Sequence, residues 1–256
     1  MNDISLMEKA TSSEFLQTRI DLNKNALNNF EHWSINTMPK IPMKSNILDI
    51  GCGTGKQLLS FSSFFTKKCT YYGCDISKES LMIIENNYKS NPKLNLINDS
   101  FDNIDIFLEK HIKFDLIYSF YSLYYSENLE LIINNIFNSL KDGGIFWVVM
   151  PYKNTNKELF NILEKIYNID QKVIYSVDGF SNDVILNASN IGFKDIDISL
   201  FENKIFFNTK EELFAYIKNT TFYNEKYNKD IIKAIEKEFK ENFSLTKEVI
   251  SLKFTK

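Results

Sequence analysis

The chain has 256 residues, 44% hydrophobic and 25% charged, with a net charge of −3. That length and balance suit one globular α/β domain with a sizeable core, and the slight acidity argues against a protein that grips nucleic acid through a basic face. Three cysteines, Cys52, Cys69 and Cys74, show neither an even disulfide framework nor zinc-ligand spacing. No run approaches the 18 apolar residues of a membrane span, and the opening MNDISLMEKATSSEF lacks the apolar segment of a signal peptide. The expectation is a cytoplasmic protein with reduced thiols and no metal site, acting without membrane or nucleic acid.

Residues 5–33 read as one or two helices, because Phe15, Leu16, Ile20, Leu22, Leu27 and Phe30 recur at roughly helical spacing. Pro39 and Pro42 break the chain before the first strand. Strand-like runs follow at residues 46–50, 70–75, 94–98, 114–119 and 144–150. Helical patterns fall between them at residues 56–66, 78–87 and 128–140, with a shorter one near 104–110. This alternation predicts a doubly wound α/β fold with a mostly parallel sheet of seven strands. After Pro151 helices are expected over 156–167 and 182–190, a strand over 195–201, helices over 211–218 and 230–240, and a last strand over 248–254. The predicted organisation is a single domain with an N-terminal helical lid (1–40), a ligand-binding core (45–150) and a helical cap inserted before the last strand (202–245).

The stretch ILDIGCGTGKQL, from Ile47 to Leu58, runs from a strand ending in Asp49 through Gly51, Gly53 and Gly55 into a helix. Alternating glycines let the backbone take positive φ and let a ligand approach it closely, while the helix beyond points free N–H groups into the same space. The dinucleotide fingerprint needs a third glycine where Lys56 stands, and a phosphate-binding P-loop needs Gly-Lys-Ser/Thr, whereas Gln57 follows Lys56.

ILDIGCGTG closely resembles the first motif of the class I S-adenosylmethionine-dependent methyltransferases. YYGCDIS (71–77), INDSFDN (97–103), FDLIYSFYSLYY (114–125) and LKDGGIFWVV (140–149) continue the resemblance in order, at a spacing of about 25 residues. The resemblance covers residues 45–150 by motif and the rest by architecture. It implies S-adenosyl-L-methionine as cofactor, with Gly51, Gly53 and Gly55 beneath its methionine and ribose. Asp49 would fix the loop and the ammonium, or only tie down nearby backbone N–H groups. Asp75 would accept from the ribose hydroxyls, for which an acceptor-only carboxylate is suited, and Ile76 would pack on the adenine. Asp99 would accept from the adenine amino group, with Ser100 beside it and Phe101 covering the ring. Ser119 ends the fourth strand, where open α/β sheets place ligands. Of 30 basic residues only Arg19 is arginine; its fork suits the cofactor's carboxylate, and an N-terminal helix closes over the cofactor in several subgroups of this family, a surface ion pair being the other reading.

On the acceptor side, a hydroxyl nucleophile needs a base and a carboxylate does not. Only His32 and His111 are histidines; His111 is read as a surface residue and His32 as a candidate base or a helix-end residue. Tyr121, Tyr124 and Tyr125 follow the fourth strand, where related small-molecule enzymes often carry a histidine, and are expected either to line the acceptor pocket or to pack in the core. Phe214, Tyr216, Phe222, Tyr223 and Tyr227 form a second aromatic set in the predicted cap, readable as a roof or as packing. The Asn/Asp-Pro-Pro-Tyr/Phe motif of nucleic-acid amino-methylating enzymes is absent from the stretch. The favoured expectation is O-methylation of a small polar metabolite, such as a nucleotide-linked sugar for a surface polysaccharide. Carboxyl methylation and a cofactor-binding protein without turnover stand as alternatives, and the oligomeric state is open.

Overall fold

The structure is a computed structural model that describes residues 26–65, 68–88, 93–104 and 112–256. The helices expected over 5–33 lie mostly outside these residues, as do Arg19 and His111. The first described helix is α1, Phe30–Thr37. Then come β1 (Asn46–Ile50), α2 (Lys56–Phe61), β2 (Thr70–Asp75), α3 (Lys78–Asn87), β3 (Lys93–Asn98), β4 (Phe114–Phe120), α4 (Leu129–Ser139) and β5 (Leu140–Pro151). The remainder holds α5 (Lys157–Leu163), α6 (Gln171–Asp178), α7 (Phe180–Ile191), β6 (Lys194–Phe207), α8 (Lys210–Lys218), α9 (Asn228–Glu238) and β7 (Phe243–Thr255). The strands form one seven-stranded sheet in the order β3-β2-β1-β4-β5-β7-β6, as a doubly wound α/β fold requires. Pairing is parallel from β3 through to β5.

Several elements differ from expectation: β5, β6 and β7 are longer and α5 is shorter, and two of the helices depart for local reasons. Helix α2 stops at Phe61 instead of Thr66, because the Ser62 hydroxyl donates to the Leu59 carbonyl at 2.8 Å and competes with continuation. Helix α6 was not expected; Asp170 caps it by accepting from the Lys172 N–H at 2.8 Å, and Val173 and Val177 bury one face four residues apart.

The chain divides into two compact units. The first comprises Phe30–Met150, Phe180–Leu200 and Ile250–Lys256. Its core is aromatic: Phe61 from α2 lies 6.0 Å from Tyr118, 5.8 Å from Phe120 and 5.5 Å from Trp147, ring centre to ring centre. All four rings are buried, each worth roughly 1.5–3 kcal/mol of transfer free energy. The Trp147 indole N–H donates to the Ser251 hydroxyl at 2.8 Å, so this apolar bed keeps its polar edge satisfied.

The second unit comprises, among the described residues, 26–29, Pro151–Gly179 and Phe201–Val249. Ala26 pairs with Ile205 as an antiparallel bridge. Leu159 and Leu163 of α5, Leu213 and Ile217 of α8, Ile231 and Ile235 of α9 and Phe207 of β6 make its core. Tyr216, Phe222 and Tyr223, three of the aromatics expected as a roof or as packing, are buried in this core. Tyr167 and Tyr227 stack at 5.0 Å. No helix among the described residues is long and apolar enough to cross a membrane.

Replacing Ser251 with alanine strands the buried Trp147 N–H. The expected cost is about 1–3 kcal/mol of stability, read as a lower urea midpoint; an unchanged midpoint would show that the bond contributes nothing.

Candidate active site

Strands β1, β2, β3 and β4 release their chains at the carboxyl edge of the sheet, where the first unit gathers most of its chemistry. Leaving β1, the backbone turns through Gly51 at φ +70°, Gly53 at +51° and Gly55 at +80°. An ideal Cβ on Gly51 would lie 2.3 Å from the Ser122 Cβ, and one on Gly55 would lie 2.8 Å from Ile84. Glycine is therefore required by both torsion and space at these two positions. The loop is tied to the end of β2: the Gly51 and Cys52 N–H groups donate to the Cys74 carbonyl at 2.8 and 3.1 Å, and the Gly53 N–H donates to the Asp75 carboxylate at 2.8 Å.

Asp75 is half-buried, and its other oxygen accepts from the Ser77 N–H at 2.8 Å. Burial pushes its carboxyl above the usual carboxylate range, and the Ser77 and Gly53 amides pull the other way. Ser77 itself caps α3, accepting from the Ser80 N–H. Ile76 next to Asp75 is 43% exposed, an apolar side chain presented to solvent. One strand further out, the half-buried Asp99 accepts from the Ser100 N–H at 2.7 Å and from Asn103 at 2.9 Å, through a single oxygen. The Ser100 hydroxyl caps the short turn Phe101–Asn103 by accepting from Asp102, and Phe101 is half-buried upon it.

Asp49 differs from these acids. It is 1% exposed and sits between the strands, accepting from the Tyr71 hydroxyl at 2.7 Å. Tyr118 faces the same carboxyl from β4, yet its buried hydroxyl makes no hydrogen bond of ordinary geometry. Burial pushes the Asp49 carboxyl up to about 7, against the two tyrosines and with help from the Asp75 charge. All three cysteines are free thiols, and all are buried. Burial and nearby acids push the Cys52 and Cys74 thiols up.

Near the end of β4, Ser119 is fully buried, with its hydroxyl 2.6 Å from that of Ser122 just beyond the strand. Ser122 in turn donates to the Ile50 carbonyl at 2.6 Å, directly beneath the Gly51 turn. Between them Tyr121 takes φ +56°, a strained conformation for a bulky residue, held by its N–H to the Val149 carbonyl at 2.9 Å. Its ring lies 5.8 Å from Phe30, which also meets Trp33 at 5.5 Å. Tyr124 and Tyr125 occupy the short turn Leu123–Tyr125 with ring centres 4.6 Å apart, and Tyr124 also meets Phe180. The Asp102 carboxylate accepts from the Ser126 hydroxyl at 2.5 Å and the Glu127 N–H at 3.2 Å. It thus brings the Phe101 turn and the tyrosine turn together. His32 is exposed on α1, its ring 3.3 Å from the Asn36 amide.

Sequence reasoning missed Ser122, Asp102 and the Tyr71–Tyr118 pair. All four lie within the stretches that carry the resemblance, but a side chain's reach to another strand or turn leaves no local spacing to read. Phe30 and Trp33 stood within a helical pattern with no sign of which face met Tyr121.

The family profile described as a methyltransferase domain matches residues 43–245. A malonyl-[acyl-carrier protein] O-methyltransferase from Ilyobacter polytropus is 24% identical over 209 residues, covering 77% of this chain and 73% of the relative. A structure from Bacillus halodurans, described as a methyltransferase, superposes with a TM-score of 0.63 at 14% identity, covering 89% of this chain and 99% of the other. A phosphoethanolamine N-methyltransferase from Haemonchus contortus, in complex with phosphomonomethylethanolamine and S-adenosylhomocysteine, superposes with a TM-score of 0.59 at 14% identity, covering 99% of this chain and 60% of the other.

Gly51→Ala is expected to destabilise the chain by about 1–3 kcal/mol from the torsion alone, with the Ser122 clash added; thermal unfolding reads the loss. For Asp49, the folded carboxyl titrates near 7 against an ordinary 3.8, so the folded chain holds the proton more tightly. Its contribution to stability is fully present below the ordinary value and is lost as pH rises through the folded one. Asp49→Asn should flatten that fall, so its stability relative to the parent chain should improve between about pH 5 and pH 8. Parallel stability curves for the two would refute the shift.

Proposed function

The chain belongs to the class I S-adenosylmethionine-dependent methyltransferases, and from that premise we propose that it moves the donor's methyl group to an oxygen of a small polar metabolite. The observation that supports this siting is the pair of half-buried acids Asp75 and Asp99, ending adjacent parallel strands beside the left-handed glycine loop. Each Asp75 oxygen already accepts one backbone N–H, and each keeps acceptor capacity for one hydroxyl of the donor's ribose. Asp99 uses one oxygen locally; the other is assigned to the adenine amino group, with the Ser100 N–H beside it. Ile76 and Phe101 supply the apolar surfaces on which a flat base rests. The left-handed torsions at Gly51, Gly53 and Gly55 set the loop beside these acids, and glycine leaves its backbone uncovered for the close approach such a donor needs. Asp49 and Ser119 are both buried and act on the donor through the loop, Ser119 by way of Ser122. Arg19 is assigned to the donor's carboxylate on sequence grounds.

When bound, S-adenosylmethionine supplies a methyl group made electrophilic by its sulfonium. The protein's part is to align an acceptor oxygen in line with it, exclude water and take up any proton released. Tyr121, Tyr124 and Tyr125, with Phe30 and Trp33, are assigned to the acceptor side; their rings exclude water and the phenol groups hydrogen-bond a hydroxylated acceptor. A sugar hydroxyl, as in a nucleotide-linked precursor of a surface polysaccharide, needs a base, and His32 is the candidate. A second reading has its own support. The Ilyobacter relative is named for methylating a malonyl group, and a carboxylate acceptor needs no base.

Calorimetry on Asp75→Ala should show S-adenosylmethionine affinity at least about tenfold weaker, since hydrogen bonds to a charged acceptor contribute about 1.5–3 kcal/mol each; unchanged affinity sinks the assignment. Nucleotide sugars and small carboxylic acids, assayed separately for release of S-adenosylhomocysteine, separate the two acceptor readings. With a hydroxyl acceptor, turnover should rise with pH and His32→Ala should abolish that rise. With a carboxylate acceptor, His32→Ala should leave turnover unchanged.

A further inference from the structure

On the reading that the methyl donor lies against the Gly51–Gly55 loop, we propose that Asp49 lets the site distinguish the cationic donor from its neutral product. Its side chain releases a proton to solvent when the sulfonium docks and takes one back when the thioether remains. The geometry is that of an acid built for two protonation states. Asp49 is 1% exposed and stands two residues before Gly51. From β2 it meets the Tyr71 hydroxyl, which donates at 2.7 Å, and the charge of Asp75 at the strand's end. From β4 comes the Tyr118 hydroxyl, buried and unpartnered by ordinary criteria. From the loop comes the buried Cys52 thiol, and from α2 the Phe61 ring, 6.0 Å from that of Tyr118. The charge that acts on Asp49 is that of the Asp75 carboxylate, which raises it further.

Two hydroxyls therefore converge on one carboxyl, Tyr71 in a 2.7 Å hydrogen bond and Tyr118 outside ordinary hydrogen-bond geometry yet close enough to favour the ionised form. An ionised carboxylate, acceptor-only with two oxygens, satisfies both; a neutral one competes with them as a donor itself. Burial, with the Asp75 charge adding to it, raises the carboxyl to about 7, so it stands near its midpoint at neutral pH. Donor and product share the same nucleoside, ammonium and carboxylate. They differ in one methyl group and one positive charge, and that charge favours the ionised form. No bond of the protein changes; the proton goes to solvent and returns from it.

The test is calorimetry on the full chain with S-adenosylmethionine and S-adenosylhomocysteine, at about pH 6 and pH 8, in buffers of different ionisation heat. At the lower pH donor binding should release up to about one proton and product binding distinctly less, and the donor-to-product affinity ratio should rise by about tenfold toward the higher pH. In Asp49→Asn the release attributable to this residue should vanish and the ratio should stop changing, which also subtracts any titration of the ligands themselves. Tyr118→Phe removes a donor to the ionised form and should move the rise to higher pH. Identical pH courses in the parent and Asp49→Asn, or equal proton release by both ligands, overturn the inference while leaving the cofactor assignment intact. If neither ligand binds the parent chain at either pH, the cofactor assignment falls and the inference falls with it.

Discussion

The arrangement at the sheet's carboxyl edge rests on one backbone requirement: between Ile50 and Lys56 the chain must pass three times through left-handed torsions. This path brings the Gly51, Cys52 and Gly53 N–H groups onto the end of β2, two to a carbonyl and one to the Asp75 carboxylate. It brings the Gly51 Cα against Ser122 just beyond β4. The ends of β1, β2 and β4 are thereby joined at a single turn, with no linking side chain longer than aspartate. Asp75 has two duties that cannot be separated. The acid that fixes the loop is also the acid assigned to the donor, so the loop is correctly shaped only when that carboxylate is correctly placed.

A second anchor lies alongside. Asp102 holds the turn carrying Tyr124 and Tyr125 to the turn carrying Phe101. Hydrogen bonds to a charged acceptor are among the stronger local contacts, at about 1.5–3 kcal/mol each. In the same unit lies the bed of Phe61, Tyr118, Phe120 and Trp147, buried and in mutual ring contact. A rigid floor with charged clips at its rim lets strain persist where it is useful. Tyr121 stays at positive φ because β5 accepts its N–H and Phe30 backs its ring.

Much of this was legible in the residues, and the reasons are physical. Strands β1 and β2 and helix α3 have the bounds read from the chain: β1 runs into Gly51, β2 closes on Asp75, and α3 opens on its Ser77 cap. The glycine loop was legible because three alternating glycines are more than a tight turn needs. Helix α6 was not, since its run Val173-Ile174-Tyr175 is β-branched and aromatic, as a strand would be, and its cap, Asp170, resembles any loop acid. Strand β6 runs six residues past its expected end, where buried Ile205 and Phe207 flank exposed Phe206 and blur the alternation. Around the loop, identity was readable but reach was not. Asp49 and Asp75 look alike in sequence, yet one is sealed between strands and the other stands half-open. The difference comes from Tyr71 and Tyr118, which approach from neighbouring strands and leave no local pattern.

The buried thiols carry a practical consequence. Cys52, Cys69 and Cys74 are the chain's whole complement of cysteine, all are sealed inside, and two are held in the unreactive protonated form by burial and, secondarily, by neighbouring acids. To an external alkylating reagent the folded surface is blank. A single cysteine introduced on the exposed face of α1, at Asn36 for instance, would be the one fast-reacting sulfur. A fluorophore or spin label there would report movement of that helix without removing any native residue that the fold depends on.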